Sequence, residues 1–201
     1  MHCAIACDSA AAAAVLSATE RAALERLPLA RRADWRAGRL AAKRSVAGVS
    51  GLALDRIEIE SRADGAPRAF LADDHARHPL GVRLSLAHES GRAVAVASRD
   101  AFVGVDVERE RSLPRKWAAF FLTANEQRHG ADALLCWVLK EAAWKAMGLT
   151  RADPLASLEL VWRDAEMVGI CHSGVYRAAR AVLCRPWQGF LAAAVILPEA
   201  V

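Results

Sequence analysis

The feature that most constrains this chain is that its pattern recurs. Trp35, Arg39 and Lys43 stand at four-residue steps and are followed by the alternating run Ile57-Glu58-Ile59. Roughly a hundred residues later, Trp137, Glu141 and Lys145 repeat the steps and Leu158-Glu159-Leu160 repeats the run. If the recurrence reflects a duplication, the chain folds as two similar α+β halves, and the groove between them is the natural place for a site.

Local signals fill in each half. Met1 to Cys7 reads as a short strand. Ser17 and Glu20 have capping-box spacing at the head of an amphipathic helix that Pro28 ends. A second helix is predicted over 33–49, with Gly51 as its stop. Asp64-Gly65-Ala66-Pro67 is a turn. Strands are predicted over 82–86 and 93–98, joined by His88-Glu89-Ser90-Gly91, and over 102–107. In the second half, Thr123 to Glu126 opens helical sequence, and a long helix over 131–147 closes at Gly148. Strands follow over 158–161, 174–183 and 189–197.

A length of 201 residues buries a core without disulfide staples. The five cysteines are odd in number and show no C-x-x-C spacing, which argues for reduced thiols and a cytoplasmic setting. The N-terminal alanine run lacks a basic leader and is broken by Asp8, so no signal peptide is expected. No run of about 18 apolar residues occurs, so no membrane partner is expected. A net charge of +4 favours acidic or phosphorylated partners. A basic nucleic-acid-binding module is the obvious rival, but the arginines are scattered and no block of like charge appears, so no nucleic-acid partner is expected.

Four clusters carry chemistry. In Gly104-Val105-Asp106-Val107-Glu108, alternation on a strand points Asp106 and Glu108 to one face. Two carboxylates about 7 Å apart repel unless a cation or a basic cluster sits between them, and a hard divalent ion such as Mg²⁺ suits oxygen ligands. A solvated edge strand running into Arg109-Glu110-Arg111 is the plainer alternative. The segment Trp137 to Lys145 lies on a helix that is apolar nearly all round and therefore buried, yet it carries Lys140, Glu141 and Lys145. Glu141 and Lys145 form either a simple salt bridge or, respectively, a third metal ligand and a phosphate-neutralising cation. Trp137 and Trp144 read as core packing.

His88 stands just past a strand with Ser85 and Ser90 nearby. It is either a structural histidine or a donor to phosphate. Arg36, Arg39 and Lys43 share one face of the second helix, as a solvated basic face or as anion contacts; Gly38, Ala41 and Ala42 allow close approach there. No Walker loop, G-x-G-x-x-G or G-x-S-x-G is present.

Together, GVDVE and the later WVLKEAAWK resemble the two ordered signatures of the Sfp-type 4'-phosphopantetheinyl transferases, G-[IV]-D-[IVL]-E and W-x-x-K-E-[AS]-x-x-K. SLAHESGRAVAVAS and AGRLAAKR resemble the loop and basic helix that precede them in that family. The resemblance implies a cytoplasmic monomer of two pseudo-symmetric α+β halves, each a small antiparallel sheet packed with helices, over 1–103 and 104–201. It implies transfer of phosphopantetheine from coenzyme A to a serine of an acyl, polyketide or nonribosomal-peptide carrier protein, leaving adenosine 3',5'-bisphosphate. Asp106, Glu108 and Glu141 would hold Mg²⁺, with Mn²⁺ as the alternative ion. Lys145, with Asp106, would meet the diphosphate, and Glu141 would activate the serine. Ser85 and His88 would contact phosphate; Arg39, with Lys43 or Arg44, would meet the 3'-phosphate. Two positions depart from the family: its G-K-P loop is Gly65-Ala66-Pro67 here, and its Ser-His pair is Ala87-His88. A non-catalytic homologue that binds coenzyme A or a carrier is the alternative these departures favour.

Overall fold

The computed structural model describes residues 1–72 and 78–199, which form two compact units, Met1–Asp100 and Ala101–Val201. The first unit runs β1 (His2–Cys7), α1 (Ala10–Ala14), α2 (Ala18–Glu25), α3 (Leu29–Ser50), a 3₁₀ turn, β2 (Ile57–Ser61), β3 (Pro67–Leu71), β4 (His78–Pro79), β5 (Arg83–Glu89) and β6 (Arg92–Ser98). The second runs β7 (Ala101–Arg109), α4 (Arg115–Phe121), α5 (Ala124–Arg128), α6 (Ala133–Met147), a 3₁₀ turn, β8 (Leu158–Arg163), β9 (Glu166–His172), β10 (Val175–Ala178), β11 (Arg180–Cys184) and β12 (Phe190–Pro198).

The two orders are the same, element for element, and so are the sheets. Unit 1 pairs β1-β6-β5 and β2-β3-β4; unit 2 pairs β7-β12-β11 and β8-β9-β10, all antiparallel. The class is α+β.

In each unit the long helix lies on a sheet through small side chains. Ala37, Ala41 and Ala42 of α3 meet Ala93, Ala95 and Ala97 of β6 in one core, and Ala142 and Ala143 of α6 meet Ala193 and Val195 of β12 in the other. Both short second helices begin with the capping box their sequences spell, Ser17 with Glu20 and Thr123 with Glu126. Each glutamate then reaches further inward. Glu20 accepts the Ile59 N–H at 3.0 Å and pairs with Lys43 at 2.7 Å. Glu126 accepts the Leu160 N–H at 3.1 Å and pairs with Lys140 at 2.6 Å. Both lysines have no solvent exposure. One buried clamp, helix cap to long helix to strand, has been built twice.

This clamp corrects the helix register inferred from sequence, since Lys43 matches Lys140 and not Lys145. Two further differences are local. Helix α3 begins at Leu29 because Pro28, with its φ preset, serves as its N-cap as well as the stop for α2. The predicted strand over 174–183 is two strands in different sheets: Ala179 is buried and donates its N–H to the Val168 carbonyl, and the chain leaves β9 for β12 at that point. No helix among the described residues is long and apolar enough to cross a membrane.

Candidate active site

Strand β7 and helix α6 pack at backbone distance because position 104 is glycine. A Cβ there would lie 2.6 Å from the Ala146 nitrogen and closer still to the Ala142 carbonyl oxygen. The contact brings Lys145 onto the strand: its Nζ donates to Asp106 Oδ1 at 2.7 Å and to the Val105 carbonyl at 3.1 Å. The bland i,i+4 pairing with Glu141 does not form as an ion pair. Asp106 is buried, and its second oxygen, Oδ2, has no hydrogen-bond partner. Burial pushes its carboxyl up to about 6 against the pull of Lys145, and Glu141 and Glu108 push it the same way. Burial also raises Glu141, with Lys145 opposing and Glu108 adding to the rise.

Glu108 is half-buried and held from two sides: Trp137 Nε1 donates to Oε1 at 3.2 Å, and Arg111 donates to Oε2 at 2.7 Å. Sequence reasoning missed both roles. Trp137 does pack, edge-on to Phe121 at 5.0 Å, but its indole N–H also orients a carboxylate. Arg111 looked like part of a solvated turn.

The three acids therefore lie in mutual electrostatic range, but among the described residues no three acid, histidine or cysteine side chains form a metal-ligand cluster. This differs from the expectation that Asp106, Glu108 and Glu141 converge on one ion. The cause is visible in the contacts: the Lys145 ammonium takes one Asp106 oxygen and the Arg111 guanidinium takes one Glu108 oxygen. The donor set still fits a hard divalent cation. It is all carboxylate oxygen, and Asp106 Oδ2 is a buried acceptor with no donor, a costly arrangement that a cation would relieve.

The basic residues anticipated in unit 1 fare differently. Lys43 is corrected as a phosphate contact, because its ammonium is sealed against Glu20 and the Val15 carbonyl. Arg36 is clasped by Asp8 through two bonds of 2.6 Å. Arg39 is buried and stacked 4.3 Å above the Trp35 ring, with a weak 3.5 Å bond to Ser61 and its Nε unpartnered; burial lowers its pKa. Arg44 is exposed and donates to the Ile5 carbonyl at 3.2 Å. Ser85 is buried in β5 and His88 is exposed near its end.

The repeated architecture supplies an internal control for the acids. The bonds from Asp8 N–H to the Gly91 carbonyl and from Glu110 N–H to the Gly189 carbonyl, both 2.8 Å, fix the strand register, and the lysine clamps fix the helix register. On that alignment Ala4 and Ala6 stand where unit 2 has Asp106 and Glu108, Arg44 stands for Glu141, and Gly48 for Lys145. The same architecture forms without the constellation, so the fold does not require it.

No family model matches the chain, and no curated protein matches it. Among solved structures it is similar to the holo-[acyl-carrier-protein] synthase of Thermotoga maritima, at 23% identity and a TM-score of 0.42. That similarity covers 50% of this chain and 65% of the other, less than two thirds of its length.

Proposed function

We propose that the chain is a phosphopantetheinyl transferase that moves the phosphopantetheine arm of coenzyme A onto a carrier-protein serine. The observation that carries this reading is the set Asp106, Glu108, Glu141 and Lys145, gathered where α6 packs on β7 in unit 2, with Asp106 buried and the other three half-buried, and replaced by Ala4, Ala6, Arg44 and Gly48 in the matching unit. Charged groups placed where the fold does not need them, in the order the family signatures prescribe, support a chemical role.

In the reaction, the serine oxygen bonds to the phosphorus that carries pantetheine. The bond from that phosphorus to the bridging oxygen of the diphosphate breaks, and adenosine 3',5'-bisphosphate leaves. Glu141 has no hydrogen-bonded cation among the described residues and accepts the serine proton. Lys145, oriented by Asp106, neutralises charge on the diphosphate. In unit 1, Arg44 and His88 are the exposed candidates for a phosphate contact, whereas Arg39 is buried. Asp106, Glu108 and Glu141 would hold Mg²⁺ or Mn²⁺, which supplies charge neutralisation at the diphosphate when bound. The work left to the protein is positioning and charge.

The test is the mass of candidate carriers incubated with coenzyme A and Mg²⁺. A gain of one phosphopantetheine arm, lost in Asp106→Ala and Glu141→Ala, is the expected result. Near-normal transfer by either variant would overturn the site. Binding of coenzyme A with no mass gain on any carrier would favour the non-catalytic reading that Ala66 and Ala87 motivate.

A further inference from the structure

Asp34 and Gly38 lie one turn apart on α3 and share a face. His88, near the end of β5, sits over that face. A Cβ on Gly38 would stand 3.3 Å from Leu86 Cδ2 and 3.7 Å from His88 Cδ2, so ring and helix are in contact. Asp34 Oδ2 is 3.8 Å from His88 Nδ1, and its other oxygen accepts the Gly91 N–H. Gly91 belongs to the hairpin turn, where Ser90 and Gly91 both have positive φ (54 and 73), as a two-residue primed turn requires. The Gly91 carbonyl in turn accepts the Asp8 N–H, and Asp8 is held by Arg36. The peptide at Gly91 is thus tied at both ends, and the Asp34 carboxylate is anchored by one oxygen while the other faces the imidazole.

We propose that Asp34 is a positioning residue for His88: it holds the ring with Nδ1–H turned toward its carboxylate, so that Nε2 is the nitrogen offered to an anionic ligand. This rests on the reading of His88 as a phosphate contact. A carboxylate at one ring nitrogen fixes the proton there and makes the other nitrogen more basic. Once protonated, Nε2–H is a charge-assisted donor to a phosphate oxygen. At Gly38 a Cβ would crowd Leu86 at 3.3 Å and only touch the ring at 3.7 Å.

The test reads the tautomer directly. Long-range ¹H–¹⁵N spectra of the full chain are recorded where imidazoles are neutral, with His88→Ala to assign the His88 signals. The native chain is expected to show His88 as the Nδ1–H tautomer. Asp34→Asn keeps an oxygen for the Gly91 N–H but turns an amide donor to the ring, and should shift His88 toward Nε2–H. A purely structural Asp34 would change the melting temperature and leave the tautomer alone, and an unchanged tautomer overturns the proposal. Calorimetry with coenzyme A gives a second readout. Asp34→Asn should weaken binding about fivefold in the native background and not at all in His88→Ala. Equal losses in both backgrounds also overturn it. If the native chain binds no coenzyme A, the transferase reading fails, and the tautomer measurement still decides the role of Asp34.

Discussion

Lys140 and Lys145 sit five residues apart on α6, and the proposed function gives them opposite duties. Lys140 has no solvent exposure; its ammonium meets Glu126 at 2.6 Å and the Phe121 carbonyl at 2.7 Å. Lys140→Met removes one partner of a buried ion pair and leaves the Glu126 carboxylate with only its backbone donors, Thr123 and Leu160. Breaking such a pair from one side costs about 3–5 kcal/mol, against a total of roughly 5–15 kcal/mol for a domain. Glu126→Ala should cost more, because the capping box and the tie to β8 go with it, adding about 1 kcal/mol for the cap. Lys43→Met should match Lys140→Met in size, since unit 1 holds the same clamp with Glu20. Urea denaturation with an unchanged slope gives these values, and a carrier mass assay on the folded fraction gives the rate. Lys140→Met is expected to be unstable yet competent per folded molecule. A variant within about 1 kcal/mol of the native chain, or one stably folded without transfer, would refute the assignment.

Other consequences follow from the same contacts. Lys145→Met should abolish transfer yet bind Mn²⁺ about tenfold more tightly in calorimetry, because the competing ammonium has left Asp106; weaker binding would contradict the picture of self-neutralised acids. Gly104→Ala should destabilise unit 2 by about 1–3 kcal/mol or more, since the new carbon meets α6 backbone, which cannot yield as a side chain would. The hydrogen bond from Arg36 holds the Asp8 carboxyl below its ordinary 3.8. A depressed carboxyl stabilises the fold above its unfolded value and loses that contribution as pH falls through the folded one. Melting temperatures should therefore drop below about pH 4, by less in Asp8→Asn than in the native chain.

Much of the fold was legible because its signals are local. The two capping boxes, the alternation at Ile57 and at Leu158, and the glycine stops at 51 and 148 each depend on a few neighbouring residues. The recurrence was visible too, but its helix register was not. Spacing alone cannot say which lysine faces the interior, and only the reach of Glu20 and Glu126 across the unit decides it. The site divides along the same line. The shared face of Asp106 and Glu108 is a property of one strand. The hold of Lys145 and Trp137 on those acids arises from the packing of α6 on β7 and has no sequence period, whereas Arg111 reaches Glu108 from only three residues on. Lys43 read as a basic-face residue because Arg36 and Arg39 share its face by spacing; its burial follows from α2, which sequence spacing does not place.

The alanine-lined seam between each long helix and its sheet has a consequence for what the protein can tolerate. Where Ala41, Ala42, Ala142 and Ala143 already fill the space at zero exposure, there is little left to remove and no room to add. Substitutions should therefore be punished by the volume they bring in more than by the volume they take away, so that an alanine-to-valine scan, not the customary alanine scan, would trace the two seams.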